Sequence, residues 1–523
     1  MGDKEAAAPR KKDGSSSLFR WLSFILLTIL FVVAYVNMGG LLISQTNHTA
    51  QQILGGDQKH NMRLALETRE DLSPDFNKGF TKAIADFFPH RTDGVVNPLW
   101  PWVAAWLATP DHPTPTEADA ATVTEKDEDY FNRGRYFHVF MTCTFLVMLG
   151  LSACRIFSLP ASLNLMLLGG FGALLPRSAY FQPEPLYFVF FFLTWVACIS
   201  ALSHNTLWIY GLIGALSGIA YMAKGSISPL IMVFIGVSSL RCLWELVSAR
   251  RRGFVLANGN LWHWRNHLMG LLILGMVHLL TIGPRLTDAK ERFGDAFHSY
   301  PAYWMWMDKF NPDCYEWMGQ HNTKERLQAL RPEDKPSLKK YIDKHGTDVF
   351  VQRLQDGTWN RVSEFLWPKQ TKRSQKIENQ KPWKSLLEWR GVYLIWLGVV
   401  LVALVVVLCS AAPKAEHAGH VVFRHGTVTI VLFVLGSVAI YCAAYGFYAP
   451  IARGSGDRFM LSLYLPLAFC LIWGAESIVR RLRRRQGCSP WITRSYLAAQ
   501  WLLFAAISWR LVEIFRFPFF DNR

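Results

Sequence analysis

The run WLSFILLTILFVVAYVNMGGLLI, residues 21–43, decides the fold class. It holds no charged residue and is as long as a helix needs to cross a bilayer, about 20 residues. Similar runs recur along the chain, at 136–157, 161–175, 186–202, 207–223, 229–247, 268–282, 392–412, 428–448, 459–479 and 491–515. The expected fold is therefore an all-α polytopic membrane protein of about eleven spans. No alternation of short strands with amphipathic helices, the mark of a soluble α/β enzyme, is visible. The first run is too long for the core of a signal peptide and lacks a small-residue cleavage site, so it reads as a retained anchor.

Of the 523 residues 51% are hydrophobic, and the net charge is +16. In a soluble chain that charge would suggest nucleic acid. Here it gathers in short loops, at Lys11, Lys12 and Arg20, at Arg250 to Arg252 and at Arg480 to Arg485. The positive-inside rule explains this distribution and puts those loops in the cytoplasm, so no nucleic-acid partner is expected. The nine cysteines fall mostly inside apolar runs and show no metal-ligand spacing.

With this sidedness, residues 1–20 are a cytoplasmic tail and 21–285 a transmembrane catalytic module. That module contains a long first outer loop, 44–135. Residues 286–390 form an outer hydrophilic domain or lid, and 391–523 a C-terminal transmembrane module. The stretch from Ser44 to Trp106 organises the rest. Phe76, Phe80, Ile84, Phe87 and Phe88 recur there at helical spacing, as in a helix lying in the membrane interface. Asp111 to Asp129 reads as a solvated loop. Its acids Glu125, Asp127, Glu128 and Asp129 are compatible with a metal but more simply a solvated face.

The informative charges are those the topology leaves unexplained. Arg177, Lys224, Arg453 and Arg458 sit in short outer loops, where the rule disfavours them. Each alone reads equally as a helix-end residue snorkelling to the interface. Together with Asp57 and Glu184 on the same side they suggest a pocket for an anionic head group. Asp57, in Gly55-Gly56-Asp57-Gln58, reads as a general base for an acceptor hydroxyl or as a helix cap. Glu184, between Pro183 and Pro185, is expected to point out of its span and touch acceptor or donor. Gln58, Asp93 and His90 are secondary candidates, and His60 lies one helical turn from Asp57. No nucleotide-phosphate loop is present. Ionisable residues at mid-depth are nearly absent, His138 and His278 coming nearest, which counts against an ion-coupled transporter.

In order along the chain come Asp57-Gln58 soon after the first span, Asn97-Pro98-Leu99-Trp100-Pro101-Trp102, Gly134-Arg135 and the turn from Arg177 to Pro185. Then follow Gly214, Gly218 and Lys224-Gly225, and finally Arg458-Phe459. This series resembles the C-type (GT-C) membrane glycosyltransferases, in the branch of the protein O-mannosyltransferases and lipid A aminoarabinose transferases. The resemblance covers the spans up to about Pro229 and the region after Ala449. It implies a polyprenyl-phosphate-sugar donor and a glycan, lipid or protein acceptor on the outer face. The expected location is a bacterial inner membrane; in a eukaryotic endoplasmic reticulum Asn47-His48-Thr49 would be a glycosylation sequon. By it Asp57 is the base, Glu184 a second-loop acid, and Lys224 and Arg458 contacts to the lipid phosphate, with Arg177 and Arg453 nearby. The chemistry requires no cofactor, and a divalent metal stays open. One departure is that Gln58 replaces the second acid of the family's pair. A transporter or flippase of a lipid-linked glycan, or a non-catalytic member of the same fold, are the competing readings.

Overall fold

The computed structural model describes residues 14–46, 56–72, 87–109, 125–204, 206–251, 262–367, 389–410, 425–448, 451, 460–484 and 490–520. Among the described residues it is helical throughout, without a strand. The helices are α1 (Gly14–Thr46), α2 (Gly56–Thr68), α3 (Leu99–Ala105), α4 (Glu125–Cys154), α5 (Leu159–Ser178), α6 (Glu184–His204), α7 (Leu207–Ala223), α8 (Ser228–Arg251) and α9 (Trp262–Phe293). Five shorter or amphipathic helices follow: α10 (Tyr300–Trp304), α11 (Tyr315–Gln320), α12 (Lys324–Ala329), α13 (Leu338–His345) and α14 (Thr347–Leu366). The chain ends in α15 (Arg390–Ser410), α16 (His425–Tyr448), α17 (Tyr464–Arg484) and α18 (Pro490–Phe520).

Ten of these helices are long and apolar enough to cross a membrane, and α7 is a shorter apolar helix of the same kind. The chain is a multi-pass helical membrane protein. Each helix satisfies its own backbone hydrogen bonds, which the hydrocarbon interior demands. Helix α5 is buried all round, whereas α1, α9 and α15 keep large exposed apolar residues such as Leu26, Leu280 and Val402. The former is a central helix, and the latter present their sides to lipid. α5 widens into a π turn at Gly170–Leu174. The two glycines there let aromatic rings approach its backbone: a Cβ on Gly170 would stand 3.0 Å from the Tyr35 ring, and one on Gly172 2.5 Å from that of Tyr464.

Hydrogen bonds tie the basic ends of the spans together. Arg20 Nη2 donates to the carbonyls of Cys154 and Phe157, both at 2.7 Å. The Ser158 N–H donates to Glu476 Oε1 at 2.8 Å. The start of α1, the end of α4, the start of α5 and the late part of α17 therefore meet at one end of the bundle. The opposite end carries α2, α3, the start of α6 and the α7–α8 break.

Three expectations are corrected here. The stretch 125–129 is the first turn of α4 and its approach rather than loop, and Asp129 pairs with Arg133 one turn on, at 3.1 Å. The seventh span does not stop at Ile282: α9 runs through Pro284 to Phe293. Proline removes one backbone hydrogen bond, but packing of the later turns keeps the helix going, with Ala289 and Phe293 buried against Tyr300 and Trp304. Glu184, expected to point out of its span, points inward. The interfacial helix expected from Phe76 to Phe88 falls mostly outside the described residues. Of it, Phe87 packs its ring against Trp102 and Trp106.

The hydrophilic segment after α9 is bound to the spans. α14 crosses α16 where Gly357 faces the backbone of Gly446, so that neither position has room for a side chain. Arg353 lies over the Phe447 ring at 4.2 Å and donates to the Phe447 carbonyl at 2.9 Å. Further along α14, Phe365 and Leu366 join the main core beside Tyr464.

Candidate functional site

The site is built from four pieces far apart in sequence. The first is α2, whose first turn holds Asp57, as a helix favours an acid near its positive end. Asp57 is exposed, and its backbone carbonyl accepts from Asn61 Nδ2 at 2.6 Å. Gln58, the next residue, turns the other way: its Oε1 accepts the backbone N–H of Phe181 at 2.9 Å. A glutamine does this without charge, where a glutamate would bring a second anion toward Glu184.

The second piece is the turn between α5 and α6. Arg177 lies 5.9 Å from the Tyr180 ring centre. Arg135, fully buried near the start of α4, donates to the carbonyls of Ala179 at 2.7 Å and Ile43 at 2.9 Å. It thereby pins this turn to the end of α1. Gly134 leaves no space between α4 and the turn, since a Cβ there would stand 2.3 Å from the ring of Phe181, which stacks on Phe131. The Gly-Arg pair is thus a packing device.

Glu184 opens α6 from this turn. Pro185 costs nothing in the first helical turn, where its missing N–H would have no helical partner. The acid is only 3% exposed. Its Oε1 accepts from Lys224 Nζ at 2.9 Å. Lys224 belongs to the third piece, the break between α7 and α8, where its backbone is extended at φ −160°, ψ 125°. The inward turn of Glu184 follows from this partner, because a buried carboxylate is tolerable only when paired.

The fourth piece is the loop 91–98. Asp93 Oδ1 accepts the backbone N–H groups of Val95 and Val96, at 2.9 and 2.7 Å, which folds the loop around Gly94 at φ +81°. Asp93 Oδ2 pairs with His60 Nε2 of α2 at 2.9 Å. The loop is also clasped by the segment after α9: Thr92 N–H donates to Asp288 at 3.0 Å, and Tyr300 N–H to the Gly94 carbonyl at 2.9 Å. Asn97, at its end, reaches the α7–α8 break, its Nδ2 3.9 Å from where a Gly225 Cβ would stand.

Partial burial pushes the Asp93 carboxyl up, but the His60 hydrogen bond and the two backbone N–H groups outweigh it and hold it below its usual 3.8. The Asp93 bond likewise lifts His60 above 6.5, against the opposing effect of desolvation. The sign of the pH effect follows. His60, raised, contributes stability that is full below 6.5 and is lost as pH rises through its folded value. Asp93, lowered, contributes stability present above 3.8 and lost in acid. The clasp between α2 and the loop is strongest between those limits. We expect His60→Gln to flatten the fall in thermal stability of the native chain between about pH 6 and pH 8. A titration of melting temperature checks it, and an unchanged slope would rule the clasp out as its source.

The structure thus joins Glu184 with Lys224, Gln58 with the Glu184 turn, and Asp93 with the helix of Asp57. His90 Nδ1 lies 2.8 Å from the Phe88 carbonyl. Arg453 and Arg458 lie outside the described residues. Among the described residues no group of three or more His, Cys, Asp or Glu is placed to hold a metal ion. In the sequence Asn97, Arg135 and Trp100 stand out only as parts of motifs. Trp100 proves to be the packing centre of the platform, with no exposure and its ring 3.9 Å from that of His138 and 5.0 Å from that of Phe181. His138, one of the two near mid-depth histidines, is accounted for by this stack and by a 3.2 Å contact to the Tyr180 carbonyl.

No family model matches the chain, and no curated protein matches it.

Proposed function

We propose that this chain is an integral membrane glycosyltransferase that moves a sugar from a polyprenyl-phosphate donor to an acceptor hydroxyl on the outer face. The observation that supports the reading is the convergence of separate motif pieces on one end of the bundle. α2 bonds to the turn before α6, that turn presents Glu184, and Glu184 holds the ammonium of Lys224 at a helix break. With the basic end in the cytoplasm, this end faces outward.

In the proposed reaction the bond from the anomeric carbon to the donor phosphate oxygen breaks, and its electron pair leaves on the phosphate. The acceptor oxygen forms the new bond and gives up its proton. Asp57 takes that proton as general base. Its exposure on α2 suits contact with an acceptor arriving from outside. The Asp93 carboxylate is engaged by His60 and two backbone N–H groups and holds the loop to α2. Lys224 supplies positive charge toward the developing phosphate, and Glu184 fixes where that charge stands. Arg177, Arg453 and Arg458 are the further basic residues assigned to the phosphate.

The test is release of polyprenyl phosphate by the purified chain given a set of lipid-linked sugars, beside Asp57→Asn. We expect release by the wild type and a drop of about a hundredfold or more in the variant, the usual worth of a general base. Equal release by both proteins would remove Asp57 from the mechanism. No release from any donor would remove the transferase.

A further inference from the structure

At the end of the bundle remote from Glu184, the last turn of α17 and the first turns of α18 line a half-open cavity of about 430 Å³. α17 separates the two ends: its first residue, Tyr464, packs beside Phe365, and at about 1.5 Å per residue its 21 residues carry the chain about 31 Å away. Leu482, Ile492 and Leu497 are its apolar lining, and Arg483, Thr493 and Arg494 its polar lining.

Sidedness alone explains a basic cluster, and arginines in the last turn of α17 suit the negative end of a helix. The helix dipole, by contrast, disfavours Arg494. That residue belongs to the second turn of α18, close to the positive helix end, and the first turn contains no acid. Arg483 lines the same cavity and, like Arg480, Arg481 and Arg484 near it, is exposed. Among the described residues none of these five arginines pairs with a carboxylate. Glu476, two turns before Arg483, is committed to the Ser158 N–H at 2.8 Å and to the Tyr496 hydroxyl at 3.2 Å. Two exposed arginines thus line one space together with apolar side chains.

We infer that this cavity binds a phosphate group carried on an apolar body, as in the headgroup of an anionic phospholipid of the same leaflet. Arg483 and Arg494 contact the phosphate from two sides, Thr493 offers a hydroxyl, and Leu482, Ile492 and Leu497 cover the glycerol and upper acyl region. Arginine is suited to this because its planar fork presents paired donors to phosphate oxygens. Basic pockets between spans on the cytoplasmic side are a known route to such lipids. The inference does not depend on the transferase reading, since it concerns the other face.

The experiment uses the full chain in nanodiscs of phosphatidylcholine, with and without phosphatidic acid at about one lipid in ten. Retained lipid is counted by native mass spectrometry. We expect selective retention of phosphatidic acid, falling about thirtyfold in affinity in the double variant Arg483→Gln/Arg494→Gln, at roughly a fivefold loss per arginine at a membrane surface. Leu497→Trp keeps every charge but fills the cavity, and we expect it to lose retention as well. The charge-matched control Lys339→Gln/Lys340→Gln, on exposed α13 positions, should retain lipid like the wild type. Competition by millimolar inorganic phosphate would uphold the site with free phosphate as the source, and its absence would assign the lipid. Equal retention by wild type and double variant, or full retention by Leu497→Trp, would overturn the proposal. The latter would mean that diffuse surface charge, not the cavity, holds the lipid. Melting curves in pure phosphatidylcholine separate lost binding from lost folding.

Discussion

Lys224→Met should destabilise the protein by about 3 kcal/mol, and most of that loss should return in the double variant Lys224→Met/Glu184→Leu. Removing one partner of a buried pair leaves an uncompensated charge, which typically costs about 3–5 kcal/mol, whereas replacing both by apolar groups is often nearly neutral. The lower end of that range applies here, because the Lys224 side chain keeps 20% of its exposure while that of Glu184 keeps 4%. Glu184→Gln should fall between, since the amide still accepts from the ammonium but without its charge. Thermal unfolding in one detergent at fixed pH measures the wild type, Lys224→Met, Glu184→Leu and the double variant, and this cycle gives the coupling between the two positions. A double variant no better than the sum of the singles would show that the pair is not a unit. Activity separates structure from chemistry. The double variant should fold well and be inactive if Lys224 supports the phosphate, and it should be active if the pair is structural only.

Trp100→Ala should cost about 3–5 kcal/mol, the usual range for removing a buried tryptophan. The physical reason is placement. α3 is short, only Leu99–Ala105, and Pro98 makes no side-chain cap for it. A helix of that length does not hold by propensity, so packing must fix it. Trp100 supplies that packing, wedged among Phe137, His138 and Phe181. Its loss should loosen α3 and, through it, α2, which lies against it in the same core with Met62, Ala65 and Leu66. We therefore expect protease sensitivity to rise within 56–109 before the spans unfold. Trp100→Phe should restore most of the stability, because a ring remains against Phe181. Limited proteolysis with mass mapping reads this directly. Cleavage that begins elsewhere, or a variant as stable as the wild type, would show that the platform is held by other contacts.

The fold class and the path of the spans were legible because hydrocarbon imposes a simple rule, about 20 apolar residues per crossing. All eleven expected spans correspond to helices, and most ends lie within a turn. The errors fall where packing overrides local pattern. Pro284 looks like a terminator, yet α9 continues because its later turns are buried. Glu184 between two prolines looks like an outward acid, yet it turns in because Lys224, 40 positions on, is waiting for it. Composition cannot supply that partner. The same holds for His60 and Asp93, 33 positions apart, which the sequence shows only as two polar residues. Gln58 was conspicuous as a departure from an acid pair, and its contact to Phe181 gives the glutamine a structural task of its own. The hydrophilic segment reads as an outer domain or lid, and its charges hide Gly357 and Phe365, the positions at which α14 meets the spans and the core.

The most direct test of the central proposal follows both halves of a labelled donor. The chain is placed in sealed vesicles with a polyprenyl-phosphate sugar labelled in the sugar, together with candidate acceptors. The account predicts that labelled sugar appears on the acceptor and polyprenyl phosphate is released, one for one, with both products falling together in Asp57→Asn. Movement of intact labelled donor across the bilayer, with no polyprenyl phosphate released, would contradict the account and identify a transporter.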